Sequence, residues 1–592
     1  MNWVFRSICS IVIILLNSCQ SGGTGDAEKT NSIDPAEFIT KFEQSKGTET
    51  STYTETLSYY ERLASAYPTI RLDSVGQTDS GLPLHLVTFS QRTDFSWENR
   101  TSDDIVLFIN NGIHPGESDG IDASQLMFRK LVQDSLEIPE NLIVAAIPIY
   151  NVGGSLQRNS TTRTNQNGPE SYGFRGNARN YDLNRDFIKA DTRNAQSFAR
   201  LIQHIQPDFF IDTHVSNGAD YQYTLTHLFS QHNKLGWSLG NYQYQVLRPG
   251  LENELQKREW DITPYVNVFN TPPEKGFVQF MDYPRYSTGF TALWNIPGLM
   301  IETHMLKPYR PRVYGTLAIF EATIVVLKKE GKHVRLERTK NLETLYTLTD
   351  YPIQWQVDST SHRTLDFKGY ESAFVTSKIT GQKRLQYNSN QSFTEATPYY
   401  DRFSPKKQVA IPEAYILPQG WWTVKERLDQ NRITYTTLEK DTILNVETYR
   451  IDSYTTSPEA YEGHYPHSET IIAATIATVQ FRKGDLWIPT QQPGIRYLLE
   501  TLEPEATDSF FNWNFFDTIL QQKEHFSPYV WEDKALALLN TQPELKKEFE
   551  QKKKEDQAFA KNGYAQLDWL HKRSENYEPT HLQYPVYRVL RK

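Results

Sequence analysis

The sequence predicts an α/β domain, with a mixed, mostly parallel sheet sandwiched by helices, followed by a C-terminal region that is first β-rich and then mixed. Three observations carry this. Continuously apolar runs at 105–109, 142–149, 208–212 and 298–302 alternate with helical patterns, and strands apolar on both faces belong to sheets that helices cover on both sides. After about residue 333 the texture changes to short alternating runs rich in Thr, Tyr and Val, which read as antiparallel strands. The length of 592 residues exceeds what one core sustains, so more than one domain is expected.

Taken in order, Arg6 precedes an apolar run over 8–16 that is too short to span a bilayer. Leu16-Asn17-Ser18-Cys19 then puts a small residue directly before a cysteine. This resembles a bacterial lipobox. Residues 1–18 are expected to be a lipoprotein signal peptide and Cys19 the lipid-modified first residue of an exported chain anchored in the cell envelope. An ordinary secretory signal with an incidental cysteine is the alternative. The other cysteine, Cys9, falls in the removed segment, so the mature chain has no internal disulfide and no cysteine ligand or nucleophile.

Residues 19–50, rich in Gly, Ser, Thr and charge, read as a flexible tether. A helix over 52–67 sets Leu57, Tyr60, Leu63 and Ala64 on one face. Gly81-Leu82-Pro83 breaks the chain before a strand at 84–89. The strand at 105–109 leads through a loop to a helix near 120–133. The strand at 142–149 leads to a long tract, 151–176, rich in Asn, Thr and Arg. A helix at 192–205, with Phe198, Leu201, Ile202 and Ile205 in phase, leads to the strand at 208–212, and the strand at 298–302 precedes a helix at 312–329. The expected domains are 51–333, a β-rich 334–500 and a mixed, partly helical 501–592. The KKKED run in the charged helix over 545–559 reads as a solvated face.

Composition narrows the function. A net charge of −9 and a pI near 5.9 leave no basic surplus for neutralising phosphates, which excludes general nucleic-acid binding. The 13% of aromatic residues suits half-buried strands in a β-rich region better than a carbohydrate surface.

The chemistry is carried by a few residues. His114 and Glu117, separated only by Pro115 and Gly116, follow the strand at 105–109, and in open α/β sheets sites gather at the carboxyl ends of strands. His214, in Ile211-Asp212-Thr213-His214, is the third ligand candidate. Two histidines and a carboxylate leave a fourth position open, the arrangement of a catalytic zinc. Glu302 stands in the apolar strand Leu299-Met300-Ile301-Glu302, a costly place for a charge unless it serves a site.

HPGE at 114–117, DLNR at 182–185, the distant His214 and IETHMLKPY at 301–309 occur in that order. Together they resemble the zinc carboxypeptidase family of the carboxypeptidase A and B type, over roughly residues 50–330. The resemblance implies one Zn2+ per chain on His114, Glu117 and His214. It implies that Asp182 accepts a hydrogen bond from the non-ligating nitrogen of His114. Asn184 and Arg185 would hold the terminal carboxylate of a peptide, a task suited to a planar guanidinium. Glu302 would be the general base, and Tyr286, with Tyr283 close by, the mobile tyrosine that touches substrate. An oxyanion-stabilising arginine in an Arg-x-Asn setting is expected at Arg163, with Arg175, Arg158 and Arg179 as rivals; His304 is an alternative ligand. The implied activity is hydrolysis of the C-terminal amide of a peptide, or a peptide-like substrate with a free carboxylate, by zinc-activated water. A zinc amidohydrolase acting on cell-wall peptides or acyl-amino acids is the alternative, and a catalytically silent peptide-binding module is the alternative of another class.

Overall fold

The architecture follows from where the continuously apolar segments go. The computed structural model describes residues 35–591; the expected signal peptide, Cys19 and the first part of the tether lie outside the described residues. The main sheet contains β1 (Ile70–Gln77), β2 (Pro83–Phe89), β3 (Ile105–Asn110), β4 (Leu142–Ile147), β5 (Phe209–Val215), β6 (Leu225–Phe229), β7 (Ile262–Pro264) and β8 (Gly298–Thr303). Their order across the sheet is β1-β2-β4-β3-β5-β8-β6-β7. The central pairs β4–β3, β3–β5 and β5–β8 are parallel, whereas β1–β2, β2–β4 and β8–β6 are antiparallel. Every residue of β3, β4, β5 and β8 is buried, as double-sided coverage requires.

The helices sit close to their expected places. They are α1 (Tyr53–Ala66), α2 (Asp119–Val132), α3 (Arg193–Ile205), the short α4 (Ser287–Ala292) and α5 (Tyr309–Thr347). Helix α1 starts on a capping box, with Thr52 Oγ1 accepting from Glu55 N and Glu55 Oε2 accepting from Thr52 N. Helix α5 runs well past the expected end at 329 and through residue 333. The sequence there, Lys328-Lys329-Glu330-Gly331-Lys332, reads as a charged stop. Instead Gly331 packs on the start of the sheet, where a Cβ would fall 2.9 Å from Ile105, and the charges face outward.

Packed chain also begins earlier than expected. Phe42, within 19–50, is fully buried with its ring edge-on to Tyr309 and Tyr314, and Glu43 pairs with Arg129. The tether reading therefore does not extend to residue 50; two phenylalanines among the polar residues, Phe38 and Phe42, supply the burial.

Beyond α5 the chain is β-rich, as expected. β9 (Arg363–Thr376) and β10 (Lys383–Tyr400) form one long hairpin, and β11 (Ala414–Leu417), β12 (Thr442–Thr456) and β13 (His467–Phe481) belong to a second sheet. Pro543–Glu555 is a helix with its lysines toward solvent. One hydrophobic core joins Phe108 and Phe210 of the main sheet and Phe198 of α3 to Tyr415, Tyr497 and Phe511. Among the described residues no helix is long and apolar enough to cross a membrane.

Candidate metal centre

The site grows from the carboxyl ends of β3, β5 and β8. Pro115 and Gly116 form the middle of a turn that Glu117 N closes on His114 O at 2.8 Å. That turn brings the imidazole and carboxylate together, with His114 Nδ1 3.1 Å from Glu117 Oε1. His214, near the end of β5, places Nδ1 3.0 Å from Glu117 Oε2, and Val215 N donates to the same oxygen at 3.0 Å. One donor atom from each of His114, Glu117 and His214 lies within 4.8 Å of the others, and all three residues are buried.

The far nitrogen of each ring is spoken for. His114 Nε2 donates to Asp182 Oδ1 at 2.9 Å, as expected. His214 Nε2 donates to Asp212 Oδ2 at 2.8 Å, a contact the motif reading did not include. Its signal was present, because Asp212 and His214 are two apart on a strand and so share a face. With a carboxylate holding the proton on each Nε2, each Nδ1 faces the common space and would offer its lone pair there once a metal displaces any proton it carries. Two such nitrogens, a carboxylate and an open fourth direction fit zinc.

The charges agree with this arrangement. Burial acts against the charged form of His214, but Asp212 and Glu117 outweigh it and hold the imidazole well above its ordinary pKa. Burial likewise opposes the Asp182 carboxylate, and His114, Arg175 and Arg185 outweigh it and hold the acid well below the usual range.

Glu302 stands opposite His214 in the β5–β8 register. It is 8% exposed, and its side chain lines a cavity of about 340 Å³ together with the three ligand candidates. Burial, helped by Glu117 and Asp212 and opposed by His214 and Arg175, pushes its carboxyl up to about 8.

Asn184 and Arg185 follow Asp182 in a short turn, with Asn184 N bonded to Asp182 Oδ1 at 2.9 Å. Both line the same cavity. Asn184 Oδ1 accepts from Ser287 N, and the Arg185 guanidinium lies 4.7 Å from the Tyr286 ring centroid. Tyr286 lines the cavity, whereas Tyr283 does not. His304 is drawn elsewhere, its Nε2 donating to Asp220 Oδ1 (2.9 Å) and its ring stacking on Tyr221, and it is not part of the metal cluster.

The arginines separate differently from the expectation. Arg163 Nη2 lies 2.6 Å from Glu117 Oε1, and Arg163 lines the adjoining cavity, which lacks Glu302. Arg175 lines the cavity that holds Glu302. Its Nε and Nη2 bond Asp182 Oδ2 at 3.0 and 2.8 Å, which leaves Nη1 3.4 Å from His114 Nδ1. Arg175-Gly176-Asn177 is itself an Arg-x-Asn setting, the signal that could have favoured it. Arg158 bonds backbone carbonyls at Thr50 and Ser171, and Arg179 bonds Asp191 O; neither lines the cavity with Glu302.

Known proteins resemble the chain in the same terms. A family model described as "Zinc carboxypeptidase" matches residues 56–217. The chain is 21% identical over 491 residues to "Carboxypeptidase 2" of Trichophyton rubrum, covering 79% of this chain and 84% of that protein. Among solved structures it is similar to a metallo-carboxypeptidase from Burkholderia cenocepacia (15% identity, 46% of this chain and 68% of that one, TM-score 0.35). It is also similar to carboxypeptidase A from Helicoverpa armigera (14%, 49% and 74%, TM-score 0.36). The matched segment spans the HPGE turn, the DLNR turn and His214, and the likeness to the Trichophyton protein, over 79% of the chain, reaches beyond that segment. The chain carries a zinc carboxypeptidase domain over residues 56–217, and that match together with the buried His114, Glu117 and His214 cluster supports a zinc metallocarboxypeptidase.

Proposed function

We propose that the enzyme removes an uncharged, apolar or aromatic residue from the C-terminus of a peptide, with Glu302 as general base. The observation that carries this is the single cavity in which Arg185 and Glu302 share walls with His114, Glu117 and His214. Zinc held by those three residues supplies Lewis acidity, which makes a water more acidic and polarises a carbonyl. Arg185, with Asn184 beside it, binds the terminal carboxylate and so sets the last amide toward Glu302. Glu302 takes a proton from the attacking water and passes it to the leaving amine. Arg175 faces the oxygen that gains negative charge, and Arg163 braces Glu117. Tyr286 contacts the bound residue.

The preference for an apolar residue comes from Leu228, Phe269, Phe280 and Met300 in the cavity wall, where Glu117 and Glu302 are the only carboxylates. An adjoining cavity of about 430 Å³ shares Glu117, Arg175, Val215 and Asn217 and is lined by Thr162, Thr164 and Asn165. Its polar walls suit the backbone of preceding residues, which favours a peptide over a small acyl-amino acid. The presence of a base, a carboxylate clamp and a complete ligand set favours turnover over silent binding. We place the enzyme outside the cytoplasm, anchored by lipid on Cys19.

The test is Glu302→Gln in zinc-loaded protein. Turnover of blocked dipeptides ending in Phe or Leu should fall by about 10²–10⁴-fold, and parent enzyme should cleave these in preference to Lys- or Glu-ended ones. Hydrolysis unchanged by Glu302→Gln refutes the mechanism.

A further inference from the structure

Residues 461–464 connect β12 to β13, far along the chain from the site, and they touch it. The connection is a tight turn, with Tyr461 N on His464 O at 2.8 Å and His464 N on Tyr461 O at 3.1 Å. Glu462 is held at φ +49° and Gly463 at φ +81°. A left-handed non-glycine residue is an unfavourable conformation that persists where its surroundings demand it. The surroundings here are the DLNR segment. Glu462 Oε2 accepts from Asp182 N at 2.8 Å. His464 Nε2 lies 2.7 Å from Asp191 Oδ2. A Cβ on Gly463 would stand 2.6 Å from the Tyr181 hydroxyl oxygen.

The second recognition segment is held from the same side. Arg285, next to Tyr286, bonds Asp508 Oδ1 through Nε at 2.8 Å, and its backbone N bonds Asp508 Oδ2 at 2.8 Å. The guanidinium of Arg285 lies 5.1 Å from the Trp513 ring, on which Tyr461 stacks with an interplanar angle of 19°. Arg285 adjoins Tyr286 in the chain, and the Tyr286 ring in turn carries the Arg185 guanidinium 4.7 Å from its centroid.

We propose that the chain beyond α5 is a working part of the peptidase site: the 461–464 turn of its β-rich part and the Asp508–Trp513 cluster of its mixed part form the back of the subsite that receives the substrate carboxylate, with Glu462 a positioning residue that sets Asp182. Through Asp182 the turn bears on both His114 and Arg175. Through Tyr461 and Arg285 it bears on Arg185 and Tyr286. The proposal rests on reading Arg185 as the carboxylate clamp.

The test uses the full chain with three variants: Glu462→Ala, Glu462→Gln, which keeps an acceptor oxygen for Asp182 N–H, and Tyr461→Phe. Zinc affinity is read by competition with a chromophoric chelator, KM and kcat on a Phe-ended peptide, and folding by thermal melting. Glu462→Ala should raise KM and the zinc Kd, each by about tenfold, the range for losing a hydrogen bond to a charged group. Glu462→Gln should restore both to within about twofold, and Tyr461→Phe should raise KM about threefold at unchanged zinc affinity. A merely structural turn would shift the melting temperature of Glu462→Ala and leave KM and zinc affinity alone, which overturns the proposal, as does Glu462→Gln as impaired as Glu462→Ala. If Glu462→Ala does not fold, Tyr461→Phe decides, and an unchanged KM overturns it. Loss of turnover in Glu302→Gln beside a neutral Glu462→Ala refutes this proposal and spares the mechanism above; turnover retained in Glu302→Gln refutes the mechanism, while the zinc titration of Glu462→Ala still reports on the turn.

Discussion

Replacing Asp182 with alanine should weaken zinc binding before it disturbs folding, and the size of the effect can be worked from its contacts. The carboxylate accepts from His114 Nε2 at 2.9 Å and Asn184 N at 2.9 Å on one oxygen, and from Arg175 Nη2 at 2.8 Å on the other. Asp182→Ala removes the group that keeps the proton on Nε2 of His114, so the ring can turn or change tautomer. A hydrogen bond to a charged group contributes about 1.5–3 kcal/mol, and about 1.4 kcal/mol is a factor of ten. Zinc affinity should therefore fall about 10- to 100-fold, in line with losing an outer partner of a histidine ligand. Asp182→Asn separates two roles, since its carbonyl can still accept from His114 while its amide opposes the donors of Arg175. It should lose less than about tenfold in zinc affinity and show its deficit in kcat. The assay is titration against a chromophoric chelator at fixed pH, with thermal melts of the zinc-free variants beside it. Zinc affinity of Asp182→Ala within about twofold of the parent, or lost only in step with stability, refutes the reasoning.

Other outcomes follow from the same geometry. Arg175→Ala should lower kcat about 10²–10³-fold and Arg163→Ala by less than about tenfold; steady-state kinetics showing the reverse order would return the oxyanion role to Arg163. In the zinc-free site, burial pushes the Glu302 carboxyl up to about 8 and Asp212 and Glu117 raise the His214 imidazole, so zinc uptake near pH 7 should release protons. Calorimetry in buffers of different ionisation heat measures this, and release of none contradicts it. Burial also pushes Asp122 and Glu500 up to about 7. A carboxyl whose folded pKa exceeds its unfolded one, about 4, lends stability that is full below the unfolded value and lost as pH rises through the folded one. The melting temperature of the full chain should thus decline from pH 5 to 8, and Asp122→Asn should flatten the decline; an unchanged slope rules out Asp122 as a source.

Local patterns were readable where a local interaction decides the outcome. The buried strands announced themselves as unbroken apolar runs, because a strand covered on both faces has no polar side to display. The HPGE spacing was readable because a proline-glycine turn brings the residues on either side of it together. Asp182 was legible through its motif, and the structure adds that the same carboxylate also anchors Arg175. Phe42 shows the opposite case: two phenylalanines in a polar stretch left no periodic signature, yet Phe42 buries that stretch against α5 and Phe38 against Tyr67.

By itself the sequence determined the α/β class, the parallel centre and the β-rich extension, which depend on periodicity, and it paired His114 with Glu117 three residues on; His214, 97 residues beyond Glu117, joined the candidate ligands through the order of the motifs. Tertiary structure alone decided which Arg-x-Asn arginine lines the cavity with Glu302, and that Glu462, some 280 residues from Asp182, holds its backbone. Those outcomes depend on where distant segments meet when one core draws the peptidase sheet and the β-rich region together, and no spacing along a chain encodes such a meeting.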